Sequence, residues 1–175
     1  MANCILRSYD ARNAKKHGKE MTPVQKIIMV VSDPLAHTEF QFSEERYGGV
    51  SHSSTMQGDG FDGSRFEDID YLKHPERWVD LILPMTDDQE DRGYNKALSI
   101  NHMPYDKVGV TSLATGWNIV TPNPDALWCS EDVAEIIKAA YQYGDDFKPD
   151  TFDPLGLYFE MVHRTQAKAR LNKTS

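Results

Sequence analysis

Cysteine is scarce in this chain, with two in 175 residues, and Cys4 and Cys129 form no C-x-x-C pair. That excludes a disulfide framework and speaks against structural zinc, and a single bridge in a chain this long would be an unusual choice. No apolar run reaches membrane-spanning length, and Met1–Arg7 lacks the apolar stretch of a signal peptide. The expectation is a protein made in a reducing cytoplasm that leaves, if at all, by lysis or inside a particle. Basic residues are outnumbered, 19 against 27 acidic ones for a net charge of −8, which argues against a nucleic-acid-binding surface. No internal repeat is found. The acidic clusters Asp87–Asp91 and Asp145–Asp153 read as solvated surface. A hydrophobic share of 39% with 10% aromatics supports one folded core.

Trp128-Cys129-Ser130-Glu131 is the segment with most chemical content. The run after it places Val133, Ile136, Ile137, Ala140 and Tyr141 on one helical stripe. Cys129 then falls in the first turn, on the inward edge of that face. Unpaired N–H groups and the helix dipole favour thiolate there, as a nucleophile needs. The competing explanation is a free cysteine that only packs.

Elsewhere, Cys4–Ser8 is a short strand candidate and the basic stretch Asp10–Lys19 reads as a loop. Thr22-Pro23 supplies a helix N-cap and a first-turn proline. The apolar run Val24–Val31 fits a helix or a strand. His37–Phe42 alternates with period two, setting Thr38, Phe40 and Phe42 against His37, Glu39 and Gln41. Tyr47-Gly48-Gly49 turns the chain into a partner strand over Val50–Met56. Gly58–Gly63 is a glycine-rich loop without the spacing or terminal glutamate of a calcium site. Trp78–Pro84 is a further strand. Thr86 and Gln89 form a capping box opening a helix over about Asp87–His102, with Tyr94, Ala97, Leu98 and Asn101 on one face. A loop over Met103–Asp125 leads to Cys129, and Asp153-Pro154 caps a short helix over Leu155–His163. The pattern predicts an α+β fold with a central antiparallel sheet and packed helices.

A base for the thiol is sought among six histidines. His17 and His74 lie in polar segments, while His102 and His163 fall at helix ends. His37 and His52 remain, both on strands that fix an imidazole well and that a hairpin would make neighbours. On residues alone, either is equally well a polar histidine on a half-exposed sheet face.

His37-Thr38-Glu39-Phe40, the hairpin strand through Ser51–Thr55, Trp78–Pro84, Pro104-Tyr105-Asp106, Cys129-Ser130-Glu131 and Lys148–Pro154 occur in a telling order. That order resembles the circularly permuted papain-like superfamily, the branch of NlpC-type hydrolases with YiiX-like and many phage proteins. The likeness spans roughly residues 24–163, leaving an N-terminal strand or arm at 1–23 and a polar tail at 164–175. It implies a permuted papain-like fold and a cysteine hydrolase, a peptidase, amidase or acyl-ester hydrolase, without metal or cofactor. By the same resemblance Cys129 is the nucleophile and His37 the general base. The family's third member is a polar residue on the strand after the histidine, often a glutamate. Ser51-His52-Ser53-Ser54 stands there without a carboxylate, so His52 is the expected orienting residue. Glu39 is the lesser choice, two residues from His37 and about 6–7 Å along the strand. Glu39, Ser53, Tyr105, Asp106, Trp128 and Glu131 are expected to line the cleft, although Trp128 fits plain core better. The expected partners are a peptide, peptidoglycan or acyl-lipid substrate. A second implication is a virion or host-takeover component that uses the fold structurally, associated with phage virion proteins.

Overall fold

The computed structural model describes residues 2–56, 61–115 and 123–174. In chain order the elements are β1 (Ala2–Asp10), α1 (Ala11–Lys16), α2 (Pro23–Ser32), β2 (Leu35–Gln41), α3 (Glu44–Tyr47), β3 (Ser51–Thr55), β4 (Gly63–Glu67), β5 (Trp78–Met85), α4 (Asp87–Ile100), α5 (Lys107–Thr115), α6 (Cys129–Tyr141) and α7 (Pro154–Thr174). The strands form one antiparallel sheet of order β4-β3-β2-β1-β5. Five antiparallel strands with helices packed on them make an α+β fold. Among the described residues, no helix is long and apolar enough to cross a membrane.

Local chemistry explains several boundaries. Thr22 and Gln25 cap each other at the start of α2, and Thr86 and Gln89 do the same for α4. Proline at the first position of α2 decides Val24–Val31 in favour of helix. Gly48 and Gly49 adopt left-handed backbone (φ 64° and 69°) where α3 turns the chain from β2 back into β3.

One sheet face carries the core. Register places Phe66, His52, Phe40, Leu6 and Leu81 in a single row across all five strands. Val133, Ile136, Ile137 and Ala140 of α6 have no exposed surface and pack against Phe40, Phe42 and Leu83. Each of the larger aliphatic side chains contributes about 1.5–3 kcal/mol by burial. Gly93 lets α4 approach α6 closely, since a Cβ there would lie 3.4 Å from both Ala140 and Ile136.

The architecture departs from the sequence-based expectations in six places. β1 is not a peripheral arm but lies between β2 and β5, and its Leu6 and Cys4 are fully buried. Asp10–Lys19 contains α1, with Asp10 as cap and Ala11 and Ala14 buried. The buried stripe of α4 is Glu90, Gly93, Ala97 and Ile100, while Leu98 is exposed. A glutamate and a glycine on the inward face hide that stripe from an apolar count. The segment Met103–Asp125 includes α5, and α7 runs through Thr174 rather than stopping at His163. β4 has no counterpart in the sequence reading; the glycine-rich stretch expected as a loop ends at its first residue, and residues 57–60 of that stretch lie outside the described residues.

Candidate active site

The other sheet face carries the polar row His37, Tyr9 and Trp78, with Glu39, Arg7 and Asp80 beside it. Pairing of β3 with β2 ends at Phe40↔His52. Past that point Ser53 Oγ donates to Thr38 O (2.6 Å), and Ser54 Oγ donates to Leu127 O (2.6 Å). The segment entering α6 thus occupies the gap where the two strands part. That brings Cys129, the first residue of α6, close enough to the His37 ring to influence its charge.

His37 Nε2 lies 3.1 Å from Glu39 Oε1, and Cys129 is the ring's other neighbour with a charge-bearing side chain. Burial disfavours a charged ring, but the interactions with neighbouring Cys129 and with Glu39 outweigh it and push the His37 pKa up to about 10. Glu39 is itself held from its other oxygen by the Tyr71 hydroxyl, which in turn lies 2.6 Å from Ser51 Oγ. The Arg7 guanidinium stacks over the Tyr71 ring at 4.0 Å. Burial, then the Glu39 charge, raises the Tyr71 pKa, so that phenol stays a donor. Ser51, Tyr71, Glu39, His37 and Cys129 form one continuous chain of polar contacts.

His52 is not part of it. Its partner across the ladder is Phe40, three residues from His37, and an odd offset on a strand means opposite faces. Its Nδ1 meets Asp132 Oδ1 at 2.9 Å, with both side chains fully buried. The orienting place expected for His52 is therefore held by Glu39. The 6–7 Å between neighbouring same-face positions is closed by the length of the glutamate side chain, which a spacing between backbones does not count. His52 instead ties the first turn of α6 to β3.

The rest of that turn is fastened as well. Trp128 Nε1 and Ser130 Oγ both donate to Phe152 O, at 3.1 and 2.6 Å. Glu131 accepts from the Trp128 backbone N–H, although burial and the nearby Asp106 charge push its pKa up to about 8. Cys129 is thereby flanked by residues with fixed positions.

Beside His37 and Glu39 opens a pocket of about 400 Å³, within the range of small-molecule sites. Of the expected cleft residues, Tyr105 and Glu39 line it. Ser53 is occupied with Thr38, Asp106 caps α5 through the Val108 and Gly109 N–H groups (3.0 and 2.7 Å), and Trp128 is core. Glu131 is buried away from the pocket wall. The Cys129 side chain has no exposed surface and belongs to an apolar cluster with Ile28, Tyr105, Val110, Trp128 and Met56; Ile28, Tyr105 and Met56 also line the pocket wall. Burial and the Cys129 charge hold the Tyr105 phenol protonated. Tyr71 and Arg77 were not legible as site residues, because only strand register brings their segment against β1 and β2. Among the described residues, no cluster of His, Cys, Asp and Glu is arranged to hold a metal ion. Comparison with protein-family models, with curated proteins and with solved structures finds no match to the chain.

Proposed function

We propose that this chain is a thiol hydrolase of the circularly permuted papain-like type, acting through an acyl-enzyme. The observation that carries this reading is the His37 ring, bonded to Glu39 and next to Cys129, at the edge of a pocket. The sulfur attacks a carbonyl carbon as thiolate, with the proton resting on His37. As the tetrahedral intermediate collapses, His37 gives that proton to the departing amine, alcohol or thiol. A water then attacks the acyl carbon, returns a proton to His37, and releases the thiolate with the acid product. The Cys129 backbone N–H, first in α6 and without an intrahelical acceptor, faces the developing oxyanion, with the Tyr105 hydroxyl as second donor. Access to the sulfur requires the wall to part. Met56, unbranched and only partly buried, is its most adaptable member.

Purified protein incubated with aryl ester, thioester and aminocoumarin amide substrates tests the reading. Hydrolysis by the wild type and its loss in Cys129→Ala, with folding intact by circular dichroism, are expected; equal turnover by both proteins ends the proposal. One observation favours the second reading, a structural component with an inert thiol: the sulfur is fully covered. Modification of Cys129 by a small electrophile in the folded protein decides between them, since an inert covered thiol reacts only on unfolding.

A further inference from the structure

The pocket beside His37 has a cationic end. Its lining includes Lys19 and Arg77, while among the described residues its only acidic member, Glu39, is already bonded to His37 and Tyr71. Two cations facing one cavity are notable in a chain with eight more acidic than basic residues. The Arg77 side chain is 18% exposed, and its Nε is buried without a hydrogen-bond partner. Glu76 Oε1, the nearest carboxylate oxygen, lies 3.6 Å away, an ion-pair distance rather than a hydrogen bond. A guanidinium on the pocket wall without a hydrogen-bonded carboxylate among the described residues keeps its charge available to an acceptor entering the pocket.

Sheet register supplies a ruler. His37 pairs with Tyr9, and Tyr9 pairs with Trp78, the residue after Arg77. Two inter-strand steps, roughly 10 Å, therefore separate the His37 position from the Arg77 end. Between them the walls are aromatic, with Tyr9 edge-on to Trp78 at 5.3 Å and Tyr105 lining the same cavity.

We propose, resting on the hydrolase reading, that the substrate carries an anionic group, a carboxylate or a phosphate, recognised by Arg77 and Lys19. That group lies on the order of 10 Å from the His37 end of the pocket, with an apolar stem between. This selects, within amides and acyl esters, those with a terminal acid on a chain of about eight or nine bonds, the number needed to span the distance when extended.

The test has a catalytic arm and a binding arm. In the first, p-nitrophenyl esters of one chain length, ending in carboxylate, phosphonate or methyl, are compared by kcat/KM. The wild type is expected to favour an acid-ended ester by roughly tenfold or more, as a charge-assisted hydrogen bond implies. That ratio should fall toward one in Arg77→Gln and drop partway in Lys19→Met, mainly through KM. Which acid is preferred identifies the source as a carboxylate-bearing chain or a phosphate-bearing one. In the second arm, suberate and an alkylphosphonate are titrated into Cys129→Ala, following Trp78 by the change in tryptophan fluorescence. Saturable binding that Arg77→Gln removes sustains the anion site even if no ester is hydrolysed. No preference among the three esters together with no binding overturns the inference and leaves the hydrolase reading standing. Lys19 is exposed in a loop, so its variant keeps the test decisive if Arg77→Gln folds poorly.

Discussion

The two cysteines of this chain are equally buried, with no exposed surface on either, yet their surroundings are chemically opposed. Cys4 lies in the middle of the sheet and donates its S–H to Glu90 Oε1 at 3.4 Å. Burial first, and then the Glu90 charge and hydrogen bond, drive its pKa up, so it remains a thiol. Glu90 is itself occupied by the Ser43 backbone N–H (2.7 Å) and by Arg46 (3.1 Å), which makes this corner a closed polar knot between α4 and the start of α3. Cys129 instead begins a helix and faces a ring that holds a proton, beside a pocket. Burial alone therefore says little about a cysteine. The partner decides, because a carboxylate destabilises a thiolate where an imidazolium supports it.

The sharpest way to break this comparison is competitive alkylation. Iodoacetamide at neutral pH is expected to label Cys129 at least ~100-fold faster than Cys4, read by mass spectrometry of the two peptides. In His37→Ala the rates should converge; similar rates in the wild type would dissolve the contrast.

The next effect separates Glu39 from His52. Glu39→Gln removes one of the charges that raise His37, so the alkaline limb of the pH–rate profile, expected near pH 10, should move to lower pH with a roughly ten- to hundredfold loss in kcat. His52→Ala leaves Asp132 buried without its partner. It should cost about 3–5 kcal/mol in urea unfolding and leave that limb in place. A limb shifted by His52→Ala and unmoved by Glu39→Gln would exchange the two roles.

The His37 shift also enters stability. The folded ring holds its proton to about pH 10, against 6.5 when unfolded, so the native state binds more protons between those values. That contribution is complete below pH 6.5 and disappears as pH rises through 10. Thermal melts should show a decline across this window that His37→Gln flattens.

The smallest expected effect concerns Glu131, whose pKa of about 8 also exceeds the ordinary value of 4.5. Its stabilising share is full below pH 4.5 and fades as pH rises through 8. Glu131→Gln keeps an acceptor for the Trp128 N–H, so it should melt higher than the wild type above pH 8 and lose that advantage toward pH 4.5. An advantage independent of pH would disprove this assignment.

Much of the local structure was legible. The alternation through His37–Phe42, the stripe from Val133 to Ala140 and the capping pair at Thr86 and Gln89 each express a periodicity or an end-capping chemistry that a short window contains. β1 was harder, because Ala2–Asp10 alternates only loosely and its burial comes from two neighbours far along the chain. α1 and α5 escaped because helices of six and nine residues are too short to establish a clear 3.6-residue period.

For the candidate site, residue types alone nominated Cys129, as a helix-start thiol, and two strand imidazoles, His37 and His52; the choice of His37 came from the family resemblance. The sequence also determined that His37 and Glu39 share a face, since alternation is a property of the strand itself. Only the tertiary structure decided that Glu39 rather than His52 holds the ring, that Tyr71 holds Glu39, and that Arg77 looks into the same pocket. Those choices depend on which residue opposes which across a ladder, and a one-residue change of register would reverse every face. Register is set by the whole sheet settling onto its core, so no local window of the chain contains it.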